Sequence, residues 1–440
     1  MSAPPSLGAG KSVAIIGAGW SGLAAALELT QAGQRVSLYE AAPLAGGRAR
    51  RADIRGLALD NGSHLMLGAY TATLELLARV GGDRHLERRP LVLAQPPHFR
   101  LALPRLPAPL HLAWGLMAAR GLGIRDKLAA ATFMAHLQRQ AYRLEQDMPV
   151  TQLLDQQHQP PHLQTSFWQP LCLAALNTPA ERASAQVFAR VLQDSLGGGR
   201  AATDLVLATR HLGALLPDPA LDWLRQRGQE VRLGCRIQAI HPVAEGWQLQ
   251  LPEGQSRRHD RVILAVAPQH AAPLLPQAAP TTSPAQTRLL ASLQGLTYQP
   301  IATCYLAYPP DTALPWPLLA LAGPLGQWVF DRGLTGTPGL LACVLSAHGP
   351  WEACNASALA TALHGEIQTA LGRPLPPPHW HQLVREARAT FSCTPGLERP
   401  GTATPWTGFF LAGDYVDNGY PATLEGAVRN GLAAARAALG

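Results

Sequence analysis

Charge is scarce in this 440-residue chain, where Asp, Glu, Lys and Arg together make up 15% of the residues against 47% hydrophobic ones. So few charges cannot shield all the apolar surface, which must line a cavity or face an apolar partner. Six cysteines, Cys172, Cys235, Cys304, Cys343, Cys354 and Cys393, are scattered without a CxxC pair, which points to free thiols in a reducing compartment. No HExxH or Cys/His ligand set accompanies the fifteen histidines, so no metal site is expected, and no GxSxG turn suggests a serine hydrolase. Long apolar runs are missing too. The uncharged stretch 312–330 is broken by Pro315, Pro317 and Pro324, and the fourteen uncharged residues between Arg105 and Arg120 are short for a membrane span. The residues before position 12, with Pro4 and Pro5, read as a loose tail rather than a secretory signal.

What is present begins at the first turn. Residues 12–16 form an apolar run of strand type, and Gly17, Gly19 and Gly22 make GxGxxG, with Trp20 and Ser21 between them. Residues 24–32 have helical composition, and 35–39 form a second strand ending in Glu40, eighteen residues after Gly22. Gly17 permits the tight turn, Gly19 lets backbone approach a pyrophosphate, and Gly22 lets helix pack on strand. The helix N-terminus offers free N–H groups, and Glu40 is placed to accept from a ribose. A second signature closes the chain. Residues 409–411 read as a buried strand, Gly413 allows close approach, Asp414 is an acceptor, and 423–439 read as a helix whose N-terminus, at Thr423 and Leu424, points back at the ligand. A ligand touched by both ends of such a chain must be long.

Between these ends the pattern is interleaved. The expected fold combines α/β and α+β: a discontinuous Rossmann-like dinucleotide domain from 12–90, 196–272 and 401–440, and a mixed sheet and helix substrate domain from 91–195 and 273–400. Residues 91–195 read as mainly helical, 203–228 as helix, 228–240 as strand, and 246–268 as a hairpin followed by a buried strand. IATCYLAY and GLLACVLSA read as strands of the second sheet, and 273–284 as a connector rich in Pro and Ala. The net charge of +7 suits anionic surfaces as well as ordinary cytosolic basicity. No basic block interleaves with aromatics, so nucleic acid is not expected. Residues 106–119, with Trp114 and Met117, suit either a buried helix or an interfacial segment flanked by Arg105, Arg120, Arg125 and Lys127.

The paired signatures, with Gly46, Gly47 and Arg48 following the ribose acid, resemble those of the FAD-binding amine oxidase and phytoene desaturase superfamily. Four further stretches narrow the resemblance: LALDNGSHLMLGAYTATLELLARVGG, SFWQPLCLAALNTPAERASAQVFARVLQDSLGG, GQWVFDRG and LAGDYVDNGYPATLEGAVRNGLAAA. Together they are similar to the hydroxysqualene dehydroxylases of bacterial hopanoid biosynthesis over essentially the whole chain. One departure is Ser63, where the family pattern favours Gln. The resemblance implies FAD, held by the motif glycines, Glu40, Arg48, Asn61, Gly62, Val231 or Ile237, Asp414, Thr423 and Leu424, and with no Cys attachment motif beside the second signature the FAD is expected to be noncovalent. It implies reduction of hydroxysqualene to squalene inside a dry cavity, with His64, Asp417 and Tyr420 as candidate proton donors beside the flavin. A separate electron donor is expected because only one glycine fingerprint is present. Companion squalene-synthase-like enzymes are expected as well, with peripheral attachment to the inner face of the cytoplasmic membrane. Two other readings of the scaffold are an oxidative polyene desaturase or amine oxidase, and a noncatalytic FAD-bearing carrier of prenyl lipids.

Overall fold

The computed structural model describes residues 10–276 and 283–440. The N-terminal tail and the middle of the 273–284 connector therefore lie outside the described residues.

Residues 12–16 are indeed a strand, Ser12–Ile16, buried along nearly its whole length because Val13, Ala14, Ile15 and Ile16 face protein on both sides. It is the middle of a five-stranded parallel sheet in the order Glu230–Arg232, Arg35–Tyr39, Ser12–Ile16, Arg261–Leu264, Phe409–Leu411. Three separate stretches of chain thus meet in one sheet. The helix Trp20–Gln31 packs beside the last helix, Leu424–Leu439, so closely that a Cβ on Gly431 would run into the Ser21 carbonyl and lie 3.0 Å from the Ala24 Cβ. An antiparallel layer, Ala239–Pro242, Trp247–Gln250 and Ser256–His259, leads directly into Arg261–Leu264, as the hairpin reading of 246–268 anticipated.

The second five-stranded sheet is antiparallel, in the order Leu318–Ala320, Trp328–Asp331, Leu340–Ser346, Tyr298–Ala307, Trp380–Phe391. Alternation assigns its two faces. Ala302, Cys304 and Leu306 pack with Leu359, Leu363 and Ile367 of the helix Ala356–Leu371, while Ile301 and Thr303 turn the other way, into a cavity.

Three local readings differ from the structure. Residues 203–228 are not one helix: Leu205–Ala208 is a strand, pairing with Met66–Leu67 and Leu86–Arg89, and only Leu212–Leu215 and Pro217–Gln226 are helical. The apolar run LVLA is claimed by strand partners that are remote in sequence, which override local preference. Residues 228–240 are likewise not one strand, since pairing stops at Arg232 and resumes at Ala239 in another sheet. The helical block after residue 91 starts with a hairpin, Val92–Gln95 with Phe99–Ala102. The helices Ile124–Arg139, Gln169–Leu176 and Ala185–Ser195 follow, packed around Phe133, Trp168 and Phe188.

Candidate active site

A cavity of about 1300 Å³ runs between the two sheets. It exceeds the roughly 300–1,000 Å³ of an ordinary small-molecule pocket and is large enough for two ligands end to end.

One end is made by the turns at the C-terminal edge of the parallel sheet. Gly17 sits at φ +107°, and a Cβ there would strike the Ala265 backbone; one on Gly22 would strike the Gly17 carbonyl. These two glycines are required by packing. Gly19 is different: a Cβ on it would meet nothing nearer than Gly47 Cα at 4.0 Å, and so would fill the cavity itself. The space is kept for a ligand that approaches the backbone. Gly46 holds this edge by donating its N–H to the Ala18 carbonyl at 2.8 Å. Ser21, in the first turn of the helix Trp20–Gln31, lines the cavity with its Oγ buried and without a partner, and no side chain caps that helix. A buried hydroxyl beside free helix N–H groups is an anion cradle waiting for its acceptor. Trp20 closes the floor, its Nε1–H donated to the Ala49 carbonyl at 2.9 Å.

Glu40 accepts from the Ala18 N–H at 2.7 Å through Oε2 and from the Ala42 N–H at 2.9 Å through Oε1. The carboxylate is thereby aimed, with lone pairs left for a ribose. Asp414 is buried in a pair with Arg48, whose Nη2 lies 2.6 Å from Oδ1 and whose Nη1 donates to the Ala389 carbonyl at 2.5 Å. Burial disfavours the Arg48 charge, but the Asp414 carboxylate, helped by Glu386, more than offsets it and raises the guanidinium's pKa. The residues fit FAD: amide-rich turns for its phosphates, one carboxylate for a ribose, and an Arg–Asp pair farther along.

Asn61 and Gly62 line the cavity, with Asn61 Nδ2 donating to the Arg48 carbonyl at 3.3 Å, and Ile237 and Leu424 close its sides. Val231 does not reach the cavity. The Thr423 hydroxyl is spent as a helix cap on the Gly426 N–H at 3.0 Å. Glu425, in the first turn of the last helix, has a buried carboxylate that accepts from the Ala72 and Thr73 N–H groups and caps the neighbouring helix, Thr71–Val80.

The three candidate proton donors separate. His64 lines the cavity, with Nδ1 2.9 Å from the Gly62 carbonyl. Burial lowers its pKa, and Arg48 and Arg332 push the same way against Asp60, so the ring is held neutral. Tyr420 also lines the cavity; its hydroxyl donates to Asp194, and Arg190 and Arg429 lie against its ring at 5.1 and 4.8 Å. Asp417 is not part of the site. Its side chain is 62% exposed, lies outside the cavity, and is bound to Arg399 at 2.7 Å, because the turn it stabilises faces solvent.

Several positions that fix the shape of the site escaped the motif reading. Asp60 and Arg332 form a buried pair at 2.8 Å, and Asp60 also accepts from the Leu212 N–H at 2.7 Å, tying the 60–64 loop to the antiparallel sheet. Asn430 accepts from the Gly413 N–H at 2.8 Å, fixing the second signature's turn. An Asn inside a helical run is a poor helix former and was the available signal. Asn177, at φ 47°, joins the helical layer to the sheet by donating to Thr390 Oγ1 and accepting from the Ala347 N–H.

The other end of the cavity is apolar, lined by Leu67, Leu103, Leu116, Phe167, Trp328 and Phe330 among others. Comparison with known proteins agrees with this layout. Residues 20–439 match the model of the flavin-containing amine oxidoreductases. A hydroxysqualene dehydroxylase of Rhodopseudomonas palustris is 33% identical, with 97% of each chain covered, and one of Zymomonas mobilis is 29% identical, covering 97% of this chain and 98% of the relative. A solved putrescine oxidase variant, 18% identical, superposes with a TM-score of 0.72 over 98% of both chains, which shows the shared fold. The chain belongs to the flavin-containing amine oxidoreductases and, within them, to the hydroxysqualene dehydroxylase family.

Proposed function

We propose that this FAD-dependent oxidoreductase reduces hydroxysqualene to squalene. The observation that carries the reading is the single cavity joining a dinucleotide cradle to a long apolar chamber. In the reaction the alcohol's hydroxyl gains a proton and leaves as water, and the allylic carbon receives a hydride. Bound FAD in its reduced form supplies that hydride.

The chain's own groups orient the alcohol and move the proton. With Nδ1–H given to Gly62, His64 presents Nε2 as an acceptor. The Tyr420 hydroxyl donates to Asp194 and accepts from Arg190 Nη2 at 3.3 Å, so it sits in a charged relay at the cavity wall. Asp194 is 23% exposed and its partner Arg190 43% exposed, so this side chain links the cavity wall to solvent. To protonate the departing hydroxyl, the Tyr420 O–H turns from Asp194 to the substrate oxygen, and Tyr420 regains a proton from solvent through Asp194.

Access is from a bilayer. On the helix Leu110–Ala118, Leu112 and Leu116 face the cavity, whereas Trp114 is 63% exposed, Met117 62% and Leu110 58%; Ile124 and Leu128 continue the patch. Arg105, Arg120 and Arg125 are exposed and close to it in the chain, while Lys127 is engaged by the Met117 carbonyl at 2.7 Å and contributes less than the sequence suggested. No helix among the described residues is long and apolar enough to cross a membrane. A peripheral mode on an anionic inner leaflet follows, with companion prenyl-coupling enzymes supplying the alcohol and a separate donor the electrons.

The test is anaerobic mixing of the reduced holoenzyme with hydroxysqualene. Squalene should form as the flavin reoxidises. Oxidation of phytoene or of an amine would instead favour the oxidative reading, and binding without turnover the carrier.

A further inference from the structure

Thr303 lies mid-strand in Tyr298–Ala307, flanked in register by Val344 on one side and Val384 on the other. It is 1% exposed, lines the cavity, and its Oγ1 has no hydrogen-bond partner. The nearest landmark across the cavity is Gly62, φ +111°, on which a Cβ would stand 3.6 Å from that oxygen and from nothing else within 4 Å. Ser63, next in the same loop, also buries an Oγ without a partner, and His64 follows it. A hydroxyl in a sheet face of valines and aromatics is a standing cost, since a buried group without a partner loses its bonds to water and gains nothing back. Valine would fill the same volume and suit the strand better. A ligand that brings its own hydroxyl repays that cost.

We infer that Thr303 is a substrate-binding residue whose hydroxyl, with Ser63 and His64 opposite, receives the oxygen of the prenyl alcohol and distinguishes it from the hydrocarbon product. Thr303 Oγ–H donates a hydrogen bond to the alcohol oxygen, while the alcohol's O–H keeps its proton and donates a hydrogen bond to His64 Nε2. This holds the leaving group between the two halves of the protein, beside the loop expected to face the flavin. The product lacks the oxygen, leaves Thr303 without a partner again, and is released.

The inference rests on the proposed reaction, and the experiment separates the two. Detergent-dispersed hydroxysqualene and squalene are each titrated into the FAD holoenzyme, with binding read from the flavin spectrum and stability from thermal melting. The wild type should prefer the alcohol. Thr303→Val should weaken the alcohol roughly tenfold, leave squalene and FAD content unchanged, and melt no lower than the wild type. Thr303→Ser loses only the methyl and keeps the hydroxyl, whereas Thr303→Ala loses both, so the preference should survive in the first and vanish in the second. Unchanged preference in both Val and Ala variants overturns the inference, as does equal weakening of both ligands with a lowered melting point. If the wild type converts the alcohol but these variants keep the preference, only the role of Thr303 falls. If the wild type neither converts nor prefers the alcohol, both fall.

Discussion

The parallel sheet meets its ligand with its ends, the antiparallel sheet with its face. In the first, Ile16 runs into Gly17, Tyr39 into Glu40, and Leu411 leads through Ala412 to Gly413, so contacts come from turns and backbone amides. In the second, Ile301, Thr303, Trp328, Phe330 and Val344 line the cavity from the strands themselves rather than from the turns between them. A turn that must let backbone touch a pyrophosphate tolerates almost no added atom. A sheet face is a surface of side chains, each of which can change at modest cost to the fold. The cofactor end is therefore rigidly specified, and the substrate end is where relatives on the same scaffold can diverge.

The sharpest break of this contrast is Gly22→Ala. The added methyl collides with the Gly17 carbonyl in the middle of the cradle, so the purified protein should carry essentially no flavin. Substitutions of similar size on the antiparallel face, such as Val344→Ile, should retain full flavin content.

The joint between the two regions comes next. Arg332→Met leaves Asp60 buried without its partner and should cost about 3–5 kcal/mol in denaturant unfolding. Adding Asp60→Asn should recover part of the loss, because Asn keeps an acceptor for the Leu212 N–H. If the single variant is as stable as the wild type, the pair does not hold the halves together.

Glu40→Ala and Asp414→Ala address the two carboxylates proposed to hold opposite ends of the cofactor. Each should weaken FAD, measured by flavin release on dilution, at least tenfold if a charge-assisted hydrogen bond of about 1.5–3 kcal/mol is lost. Retained affinity in either variant would mean that its carboxylate serves only Ala18 and Ala42, or only Arg48.

On the substrate side, Trp114→Glu alters an exposed residue. Binding to anionic liposomes should fall several-fold, while flavin content and turnover of detergent-dispersed alcohol stay near wild type. Loss of flavin would show that this helix is tied to the cradle after all.

The smallest effect is the pH response of His64. Its folded pKa is depressed below the ordinary 6.5, so at pH below that value the unfolded chain binds more protons than the native protein. Stability should fall as pH drops through 6.5 towards the folded pKa, and be insensitive to this group above it. His211 and His259 are depressed by burial in the same sense, so His64→Gln should flatten the acid limb only in part.

Much of the cradle could be read directly because its parts are local. Gly17, Gly19, Gly22 and Glu40 lie on one turn and the next strand, and Gly413 and Asp414 on another, so spacing alone places them together. The proton-donor candidates were harder. His64, Asp417 and Tyr420 are all polar residues near a motif, and only the packing around each shows that Asp417 faces solvent while the other two face the cavity. Trp114 posed the same problem in reverse: an apolar helix of that length fits a core or a surface equally well until its neighbours are known.

The sequence by itself determined the dinucleotide cradle, the discontinuous course of the chain and the family, because each rests on residue types at short fixed spacings. Tertiary structure alone decided which side chains share the cavity. Asp60 meets Arg332, Tyr420 meets Asp194, and Thr303 comes to face Gly62 because strands far apart in the chain pair in one register, and no local pattern encodes that register.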